Sequence, residues 1–431
     1  MKKSLIERLK ENKIPPVLKK IAKKEDVPLE TLVKEIIRGR IVFLKNEIHD
    51  IKNPCCIGKD LYPKINVNVG TSTDETQIKD ELEKVKLSMK LGADTVMDLS
   101  VGGNLKIIRK KILDIADIPV GTVPMYEIAV YGERRYKDFT KVKEEEFISI
   151  LEEQACEGVD FFTIHACITK ESLKILHKSK RLLPIVSRGG ALMAKWITHT
   201  QKENPFYKYF EKVIQICKKY NVVISLGDSL RPGALQDSLD SAHLTELLIA
   251  GELVKKCREK GAQVMVEGPG HVPLHQIESC VILEKKICDE APFYVLGPLV
   301  LDIAPGYDHI GSAIGGAIAL WKGADFYCVV TPAEHLRHPT LEDIKEGIIS
   351  AKIASHASFI ARRKKISQRD IEISKARGRR DWKLQEKLSL DREKFKEYRE
   401  SSKPKEIDVC TMCGKYCSLR IAESCKIRKR A

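Results

Sequence analysis

Short apolar segments recur along residues 65–330 and are separated by amphipathic stretches long enough for helices. Continuous apolar strands that alternate with helices are typical of parallel sheets buried on both faces. Seven to nine such units in about 270 residues favour a (β/α)8 TIM-type barrel over an open doubly wound sheet. The nine candidate strands are Ile65–Val69, Thr95–Leu99, Pro119–Val123, Phe161–Ile164, Leu183–Val186, Val222–Leu226, Gln263–Val266, Phe293–Leu296 and Phe326–Val330. One of them must lie outside the eight-stranded barrel.

Polar and ionisable residues follow most of these segments. His165, Arg188, Asp228, Glu267 and His335 each stand just after an apolar run. Carboxylate, imidazole and guanidinium groups are expected at this one end of the strands only, which the glycine and proline residues of ordinary loops do not explain. The carboxyl ends of barrel strands open onto one face, where (β/α)8 active sites lie. The pattern therefore predicts an active site at that face.

The chain divides into four predicted parts. Residues 1–60 form a small N-terminal region, and residues 61–340 form the catalytic barrel. Residues 341–404 are charged and poor in glycine, which predicts an antiparallel bundle with helices at roughly 341–361, 367–388 and 391–401. Residues 405–431 form a cysteine-containing loop and a basic tail.

Three cysteines lie close together in the last part, in the run Cys410-Thr-Met-Cys413-Gly-Lys-Tyr-Cys417. Such spacing is typical of a metal or iron–sulfur site. A four-iron cluster held by three thiolates keeps one iron open to a substrate or cofactor. A closed zinc site needs a fourth protein ligand, for which Cys425 is near enough. Spacing alone leaves both interpretations open.

The net charge of +15 raises the question of nucleic-acid binding. The basic excess lies at the two ends of the chain, whereas residues 51–340 are close to neutral. No basic groove with interleaved aromatic residues accompanies the charge, so we expect a solvated surface and no nucleic-acid partner. The N-terminus interrupts its apolar residues with charges, which predicts neither a signal peptide nor a membrane span. Thirteen cysteines in such a chain favour the reducing cytoplasm.

Two kinds of site are predicted at the barrel mouth. His271 and His335 both follow strands, and two imidazoles with water or substrate suit zinc or iron(II), although His165, His309 and His338 are equally eligible by spacing. The turns 187–190 and 228–233 contain glycine and arginine, so they suit a phosphate or form ordinary βα turns. Glu267 ends an apolar strand as either a buried acceptor or an acid/base.

Nine sequence motifs, which contain most of these residues, occur in the same order in a known protein family. They are Asn66–Ser72, Gly92–Ser100, Gly121–Tyr126, Phe161–Ala166, Ile185–Gly190, Glu267–Pro273, Asp302–His309, Thr331–Leu336 and the terminal Cys-Thr-Met-Cys. Over about residues 38–420 the chain closely resembles the ThiC family of phosphomethylpyrimidine synthases, radical S-adenosylmethionine enzymes of thiamine biosynthesis.

The resemblance implies a lyase that converts 5-aminoimidazole ribotide into 4-amino-5-hydroxymethyl-2-methylpyrimidine phosphate with release of formate and carbon monoxide. The implied cofactors are a [4Fe–4S] cluster, S-adenosylmethionine and zinc or another divalent metal such as Fe²⁺. The implied partners are this small-molecule substrate, a low-potential electron donor and a second copy of the chain. In the homodimer, the C-terminal helical bundle of one subunit caps the barrel of the other. No membrane partner is implied.

The family's functional positions fall on particular residues of this chain. Glu267 and His165 are the implied catalytic residues, and the cluster is implied to bind Cys410, Cys413 and Cys417. The second metal is implied to bind His271 and His335. The implied substrate contacts are Asn68, Met97, Tyr126, His165, Ser187, Arg188, Gly189, Asp228, Ser229, Leu230, Arg231, Glu267 and Tyr294.

Two departures from the family pattern bear on these expectations. Three residues separate Cys413 from Cys417 where related enzymes usually have four, which tightens the loop without removing a ligand. Ser229 stands where glycine is common, and it would strain the turn if that position needs a positive φ. The alternative functions are a 5-hydroxybenzimidazole synthase acting on the same ribotide and, among non-enzymes, a zinc-stapled interaction module.

Overall fold

The N-terminal part of the protein is a small helical region followed by a hairpin. The structure is a computed structural model that describes residues 3–406 and 408–425. Contacts divide the chain into two units, the first ending at Phe359 and the second beginning at Ile360. The first unit opens with α1 (Leu5–Lys10), α2 (Pro16–Lys24), α3 (Leu29–Ile37) and the antiparallel strands β1 (Ile41–Leu44) and β2 (Cys55–Gly58).

Eight parallel strands then close into a barrel, which confirms the predicted fold class. Each strand pairs with the next along the chain, and the sheet closes where the last strand pairs with the first, Phe326 opposite Lys64. The strands are β3 (Lys64–Val69), β4 (Thr95–Asp98), β5 (Val120–Thr122), β6 (Phe161–Ile164), β7 (Val223–Leu226), β8 (Val264–Gly268), β9 (Phe293–Leu296) and β10 (Phe326–Cys328).

The ninth predicted strand, Leu183–Val186, is wrong. It is an irregular segment between β6 and β7, which pair directly with each other. Pro184 has no N–H to donate, and the N–H groups of Leu182 and Leu183 bond the Asp237 carboxylate instead of a neighbouring strand. Leu183 is 44% exposed, so its apolar character does not mark a buried strand.

Helices connect successive strands on the outside of the barrel. Several end at residues with a positive φ, such as Gly92 after the first of them, where glycine has no Cβ to clash. The connecting helices are α4 (Ile78–Leu91), α5 (Leu105–Ile115), α6 (Pro124–Tyr136), α7 (Glu144–Glu157), α8 (Lys170–Lys178), α9 (Arg188–Thr200), α10 (Pro205–Lys208), α11 (Phe210–Tyr220), α12 (Ser241–Lys260), α13 (Ile277–Ile287) and α14 (Asp308–Lys322). A further helix, α15 (Leu341–Arg363), follows the last strand.

Aromatic side chains fill the lower part of the barrel interior. The ring of Phe326 lies 4.2 Å from that of Tyr294 and 6.1 Å from that of Phe161, centroid to centroid. The Phe161 ring also packs on the Cα of Gly121, where a Cβ would stand 2.3 Å from it. A packed interior of this kind is usual for (β/α)8 barrels and leaves the open cavity at one end.

Carboxylates also recur at the amino-terminal end of the strands, which corrects the expectation that they gather at one end only. Asp94, Asp160 and Asp325 directly precede β4, β6 and β10. Each accepts a backbone N–H from the first or second residue of the preceding strand: from Ile65 at 2.9 Å, Val120 at 2.8 Å and Phe293 at 3.1 Å. These carboxylates have a structural role, because an unpaired buried N–H is costly.

The N-terminal hairpin covers this end of the barrel through paired polar groups. The Gln263 side chain, just before β8, accepts the N–H of Phe43 at 2.7 Å and donates to its carbonyl at 3.1 Å. Asn46 donates its N–H to Asp160 at 2.7 Å. Residues 1–60 therefore help to seal the barrel floor.

The second unit consists of short charged helices and the cysteine loop. Its helices are α16 (Gln368–Arg379), α17 (Trp382–Leu388), α18 (Arg392–Ser401) and α19 (Ser418–Ser424). The predicted helix 367–388 is two helices, because Arg380 adopts a left-handed φ of 59° between them. Within the described ranges, no helix is long and apolar enough to cross a membrane.

A buried carboxyl on α13 makes stability depend on pH. Glu284 is 1% exposed, and burial raises its pKa to about 8. Among the described residues, neither of its oxygens has a hydrogen-bond partner. The folded protein keeps it protonated where the unfolded chain ionises it. The free energy of unfolding therefore falls by about 1.4 kcal/mol per pH unit between the two pKa values.

We expect Glu284→Gln to raise the melting temperature at pH 8 and to change it little at pH 4.5. The amide cannot ionise, so the loss of stability between these pH values disappears. Thermal unfolding followed by circular dichroism across this range measures the effect, with the exposed Glu171→Gln as control. An equal shift at both pH values would contradict the assignment.

Candidate active site at the carboxyl ends of the barrel strands

A cavity of about 420 Å³ opens at the carboxyl ends of the strands. It gathers side chains from loops that are far apart in the sequence but adjacent in the closed sheet. The predicted site residues that line it are Asn68, Met97, Tyr126, His165, Ser187, Arg188, Asp228, Arg231, Glu267, His271, Tyr294 and His335. Gly189, Ser229 and Leu230 do not line it and lie in the turns that support it.

One wall of the cavity is the N-terminus of α9. Ser187 caps this helix by accepting the N–H of Gly190 at 3.2 Å, and Arg188 holds its guanidinium 5.1 Å from the Tyr126 ring. Exposed N–H groups, the positive end of the helix dipole and a guanidinium form a common anion site. This corner suits a phosphate.

His165 lies directly behind that corner as a neutral imidazole. Burial, together with the positive charge of Arg231, lowers its pKa to about 3. Its Nε2 lies 3.1 Å from Ser187 Oγ, and its buried Nδ1 has no hydrogen-bond partner among the described residues. The ring packs on Gly189, whose added Cβ would stand 2.2 Å from it. With Nε2 accepting from Ser187, Nδ1 carries the proton and remains a donor.

The turn after β7 presents a carboxylate and a guanidinium as a buried pair. Arg231 donates to Asp228 at 2.8 Å, and Asp228 is 7% exposed. Burial raises the pKa of Asp228, while the Arg231 charge opposes that rise. The pair leaves further oxygens and N–H groups for hydroxyls of a ligand.

Ser229 does not strain this turn. Its φ is not among the positive values of the chain, so the expected penalty for replacing glycine does not arise. The residue is fully buried and its backbone packs on Gly190. Glu246 of α12 accepts the N–H of Leu230 at 2.7 Å and faces Ser229. Burial, with the nearby charge of Asp228, raises the pKa of Glu246 to about 8.

Glu267, at the end of β8, is held by hydroxyls from the two preceding strands. Thr163 and Ser225 both donate to its Oε1, at 2.5 and 2.9 Å. Burial raises the pKa of Glu267 to about 7, and the two hydroxyls oppose that rise. A carboxyl that titrates near neutrality is suited to proton transfer, and its second oxygen is not occupied by these hydroxyls.

A hydrogen-bond chain crosses the other side of the cavity. The Asn66 amide donates to the Tyr294 hydroxyl and to Asn68 Oδ1, both at 2.9 Å. Asn68 in turn lies 3.2 Å from Cys328 Sγ. Because Asn68 Oδ1 accepts from Asn66, the orientation of its amide is determined before any ligand binds.

His271 and His335 meet at the rim with their ring centroids 5.4 Å apart. Two imidazoles that bind one tetrahedral ion at about 2.0–2.1 Å through Nε2 have centroids roughly 5 Å apart, so the spacing fits a shared metal. Each Nδ1 lies 2.8 Å from a carboxylate, Asp302 for His271 and Asp308 for His335. Burial lowers the pKa of His271, which favours the neutral, metal-binding form.

The cysteine loop belongs to the second unit. Backbone N–H groups of Cys413 and Met412 bond the Cys410 thiol and lower its pKa, which is how loops stabilise metal-bound thiolates. Gly414 donates its N–H to the Cys410 carbonyl at 2.9 Å and adopts a φ of 50°. The short spacing is therefore accommodated by a tight turn. In the described part of the chain, no three His, Cys, Asp or Glu side chains converge as a metal-binding group.

An arginine outside the loop holds its two flanks together. Arg380 approaches Asp408 before the loop at 3.3 Å and Glu423 after it at 2.9 Å. The hydrogen bond to Glu423, with the nearby charges of Glu423 and Asp408, raises the pKa of this guanidinium. Cys425 is exposed at the end of α19.

Sequence reasoning assigned no role to several residues that orient the site. They are Thr163, Ser225, Glu246, Asp302 and Asp308. The aspartates lie within the quoted motif Asp302–His309, which was the available signal for them. Thr163 and Ser225 alternate with apolar residues inside predicted buried strands. A polar residue buried in a barrel needs a hydrogen-bond partner, so these two residues could have been predicted to contact a polar group of the site.

The fold and this cavity define a (β/α)8 barrel enzyme that has an anion corner, a near-neutral carboxyl and a pair of metal-type imidazoles at one face. The model of the Radical SAM ThiC family matches residues 4–424. The chain therefore belongs to the Radical SAM ThiC family, a family of thiamine biosynthesis, and is an enzyme. Membership of this family implies S-adenosylmethionine and a [4Fe–4S] cluster as cofactors.

Curated relatives are similar along nearly their whole length. A phosphomethylpyrimidine synthase of Caldanaerobacter subterraneus subsp. tengcongensis is 51% identical over 405 residues, 94% of each chain. Another, from Methanocaldococcus jannaschii, is 49% identical over 407 residues, 94% of this chain and 95% of the relative. The match to a solved dihydropteroate synthase of Coxiella burnetii covers 74% of this chain and 98% of that one, at 10% identity and a TM-score of 0.42.

We expect Thr163→Val to raise the pKa of Glu267 above about 7, because the lost hydroxyl stabilises the carboxylate. Thr163→Ser keeps a hydroxyl and serves as the control. The pH titration of the Glu267 carboxyl ¹³C resonance, identified by its absence in Glu267→Gln, measures the effect. An unchanged pKa in the valine variant would show that the contact does not stabilise the charge.

Proposed function

We propose that the protein is a phosphomethylpyrimidine synthase that converts 5-aminoimidazole ribotide into 4-amino-5-hydroxymethyl-2-methylpyrimidine phosphate, with release of formate and carbon monoxide. The observation that carries this proposal is that one cavity joins an anion corner, a carboxylate turn and the Glu267 carboxyl. The names of the curated relatives support the same reaction.

Binding of the ribotide follows from the charges of the cavity. The phosphate would accept hydrogen bonds from the backbone N–H groups at the start of α9 and from the guanidinium of Arg188. The ribose hydroxyls would bond Asp228, which Arg231 holds in place. Asn68, with its amide oriented by Asn66, would form hydrogen bonds with the polar edge of the base. Met97 and Tyr126 supply apolar wall against which the rings pack.

Glu267 would transfer protons, and His165 would supply a hydrogen bond beside it. Glu267 titrates near neutrality, so it can hold a proton at one stage of the reaction and release it at another. His165 is neutral at any physiological pH and acts as a hydrogen-bond donor through Nδ1. The cluster and S-adenosylmethionine, when bound, supply the one-electron cleavage that starts radical chemistry.

The cofactor ligands proposed are those of the family. Cys410, Cys413 and Cys417 would hold three irons of the cluster, and the N–H groups around Cys410 fit a thiolate there. His271 and His335 would bind zinc or another divalent ion such as Fe²⁺, as their spacing and paired carboxylates support. Neutral imidazole suits either metal.

The proposed assembly is a homodimer in which the C-terminal segments are exchanged and each caps the partner's barrel. The proposed partners also include a low-potential electron donor. The thirteen free cysteines are consistent with action in a reducing cytoplasm, where a cluster and its thiolates persist.

The reaction is tested by the product. We expect reduced, anaerobic, cluster-loaded protein to convert the ribotide into the pyrimidine phosphate, formate and carbon monoxide, identified by mass spectrometry and gas analysis. Omission of S-adenosylmethionine is the control and should abolish turnover. A 5-hydroxybenzimidazole product would overturn the thiamine assignment in favour of the rival synthase.

The cluster ligands are tested by two cysteine variants. Cys413→Ser should lose the brown colour and the iron of anaerobically prepared protein, because it removes one of three ligands. Cys425→Ser should keep both, since Cys425 is an exposed bystander. Iron analysis and visible absorption measure the difference. Loss of metal in Cys425→Ser, with colourless wild-type protein, would instead indicate a zinc site.

A further inference from the structure

The loop between β9 and α14, together with the first residue of α14, contacts both rim histidines. The segment from Asp302 to Asp308 carries an aspartate at each end. Each aspartate lies 2.8 Å from Nδ1 of one of the two rim histidines. Two histidines that follow different strands are therefore contacted by one short loop.

The Asp302 end connects three segments. One oxygen of Asp302 faces His271 Nδ1, and the other accepts the N–H of Leu235 at 2.9 Å. Leu235 follows the Asp228–Gly233 turn, and the N–H of His271 itself reaches the Pro232 carbonyl of that turn at 3.3 Å. His271 is thus connected to the Asp228–Gly233 turn by two hydrogen-bonded routes, one direct and one through Asp302.

The Asp308 end is built in the same way but is more buried. One oxygen faces His335 Nδ1, and the other accepts the N–H of Gly306 at 3.0 Å. The Asp308 side chain is 6% exposed, against 39% for Asp302. It also begins α14, where the helix dipole favours a negative charge.

We propose that the Asp302–Asp308 segment is a carboxylate clamp that presents Nε2 of both His271 and His335 to one divalent cation, and that its Asp302 end couples this cation to the substrate-binding turn. This inference rests on the proposed metal site. It assigns Asp302 and Asp308 as positioning residues that touch neither metal nor substrate.

The clamp acts through the tautomer of each imidazole. A carboxylate only accepts hydrogen bonds, so each Nδ1 must carry the proton and each Nε2 keeps its lone pair for a metal. Because both oxygens of each aspartate are engaged, the carboxylate plane is held and with it the ring. Such outer carboxylates typically contribute 10–100-fold to metal affinity.

Asparagine at either position breaks the arrangement without a change of size. An amide has one acceptor oxygen and one donor NH₂, whereas both partners of each aspartate are N–H donors. It can therefore satisfy only one of the two, and an NH₂ facing Nδ1 would favour the tautomer that blocks Nε2.

The test uses full-length protein with the cluster reconstituted, so that the three loop thiolates are occupied. Zinc affinity is measured by competition with a chromophoric chelator. We expect about 100-fold weaker binding in Asp308→Asn and about 10-fold in the more exposed Asp302→Asn. Asp302→Glu, which restores two acceptor oxygens, should recover part of the loss, and the remote exposed Asp50→Asn should bind as wild type.

The outcomes separate the clamp from the metal site. If His271→Ala and His335→Ala bind zinc as tightly as wild type, the proposed metal site is wrong and the clamp with it. If these two variants lose zinc while both asparagine variants stay within about twofold of wild type, only the clamp is overturned.

A measurement on the unmodified protein guards against variants that fail to fold. Long-range ¹⁵N spectra of histidine-labelled, zinc-free protein should show His271 and His335 as Nδ1–H tautomers. Nε2–H tautomers at these positions would overturn the clamp whatever the variants do.

The coupling predicts an asymmetry in ribotide binding. In zinc-free protein, Asp302→Asn should weaken binding of 5-aminoimidazole ribotide several-fold, because Leu235 and the turn before it lose an anchor, while Asp308→Asn should leave it unchanged. Equal effects, or none, would overturn the coupling. Wild-type protein that binds no ribotide would overturn the proposed function and the coupling together, and the zinc result would still decide the clamp.

Discussion

Closure of the parallel sheet between β10 and β3 is the constraint on which the rest of the structure depends. It turns a linear series of strand ends into a ring, so that residues after β3 and β10 become neighbours. His335 follows the last strand and Asn68 ends the first, and both line one cavity. An open sheet would place them at opposite edges.

The two ends of the barrel use the same side chains for different purposes. At the closed end, both oxygens of Asp160 accept hydrogen bonds, one from the strand N–H of Val120 and the other from Asn46 of the N-terminal hairpin. At the open end, Glu267 receives two hydroxyls on one oxygen and keeps the other for chemistry. A buried carboxylate with both oxygens hydrogen-bonded stabilises the fold. A buried carboxyl that keeps one oxygen free can have a pKa suited to proton transfer.

Much of the candidate site was predictable because barrel topology converts a position in the sequence into a position in space. A polar residue directly after a buried strand, such as Arg188 or Asp228, belongs to the mouth whatever the detailed packing. Residues that orient these groups were not predictable in this way. Glu246 reaches Leu230 from the following helix, and Thr163 reaches Glu267 from two strands away.

The sequence by itself determined the barrel, the family, the residues that ring the cavity and the three-cysteine loop, because these depend on periodicity and motif order. Only the tertiary structure decided that Leu183–Val186 is not a strand, that Ser229 is unstrained and that one short loop contacts both His271 and His335. Such features depend on contacts between backbone N–H groups and carboxylates that are far apart in the sequence, and local sequence patterns do not predict such contacts.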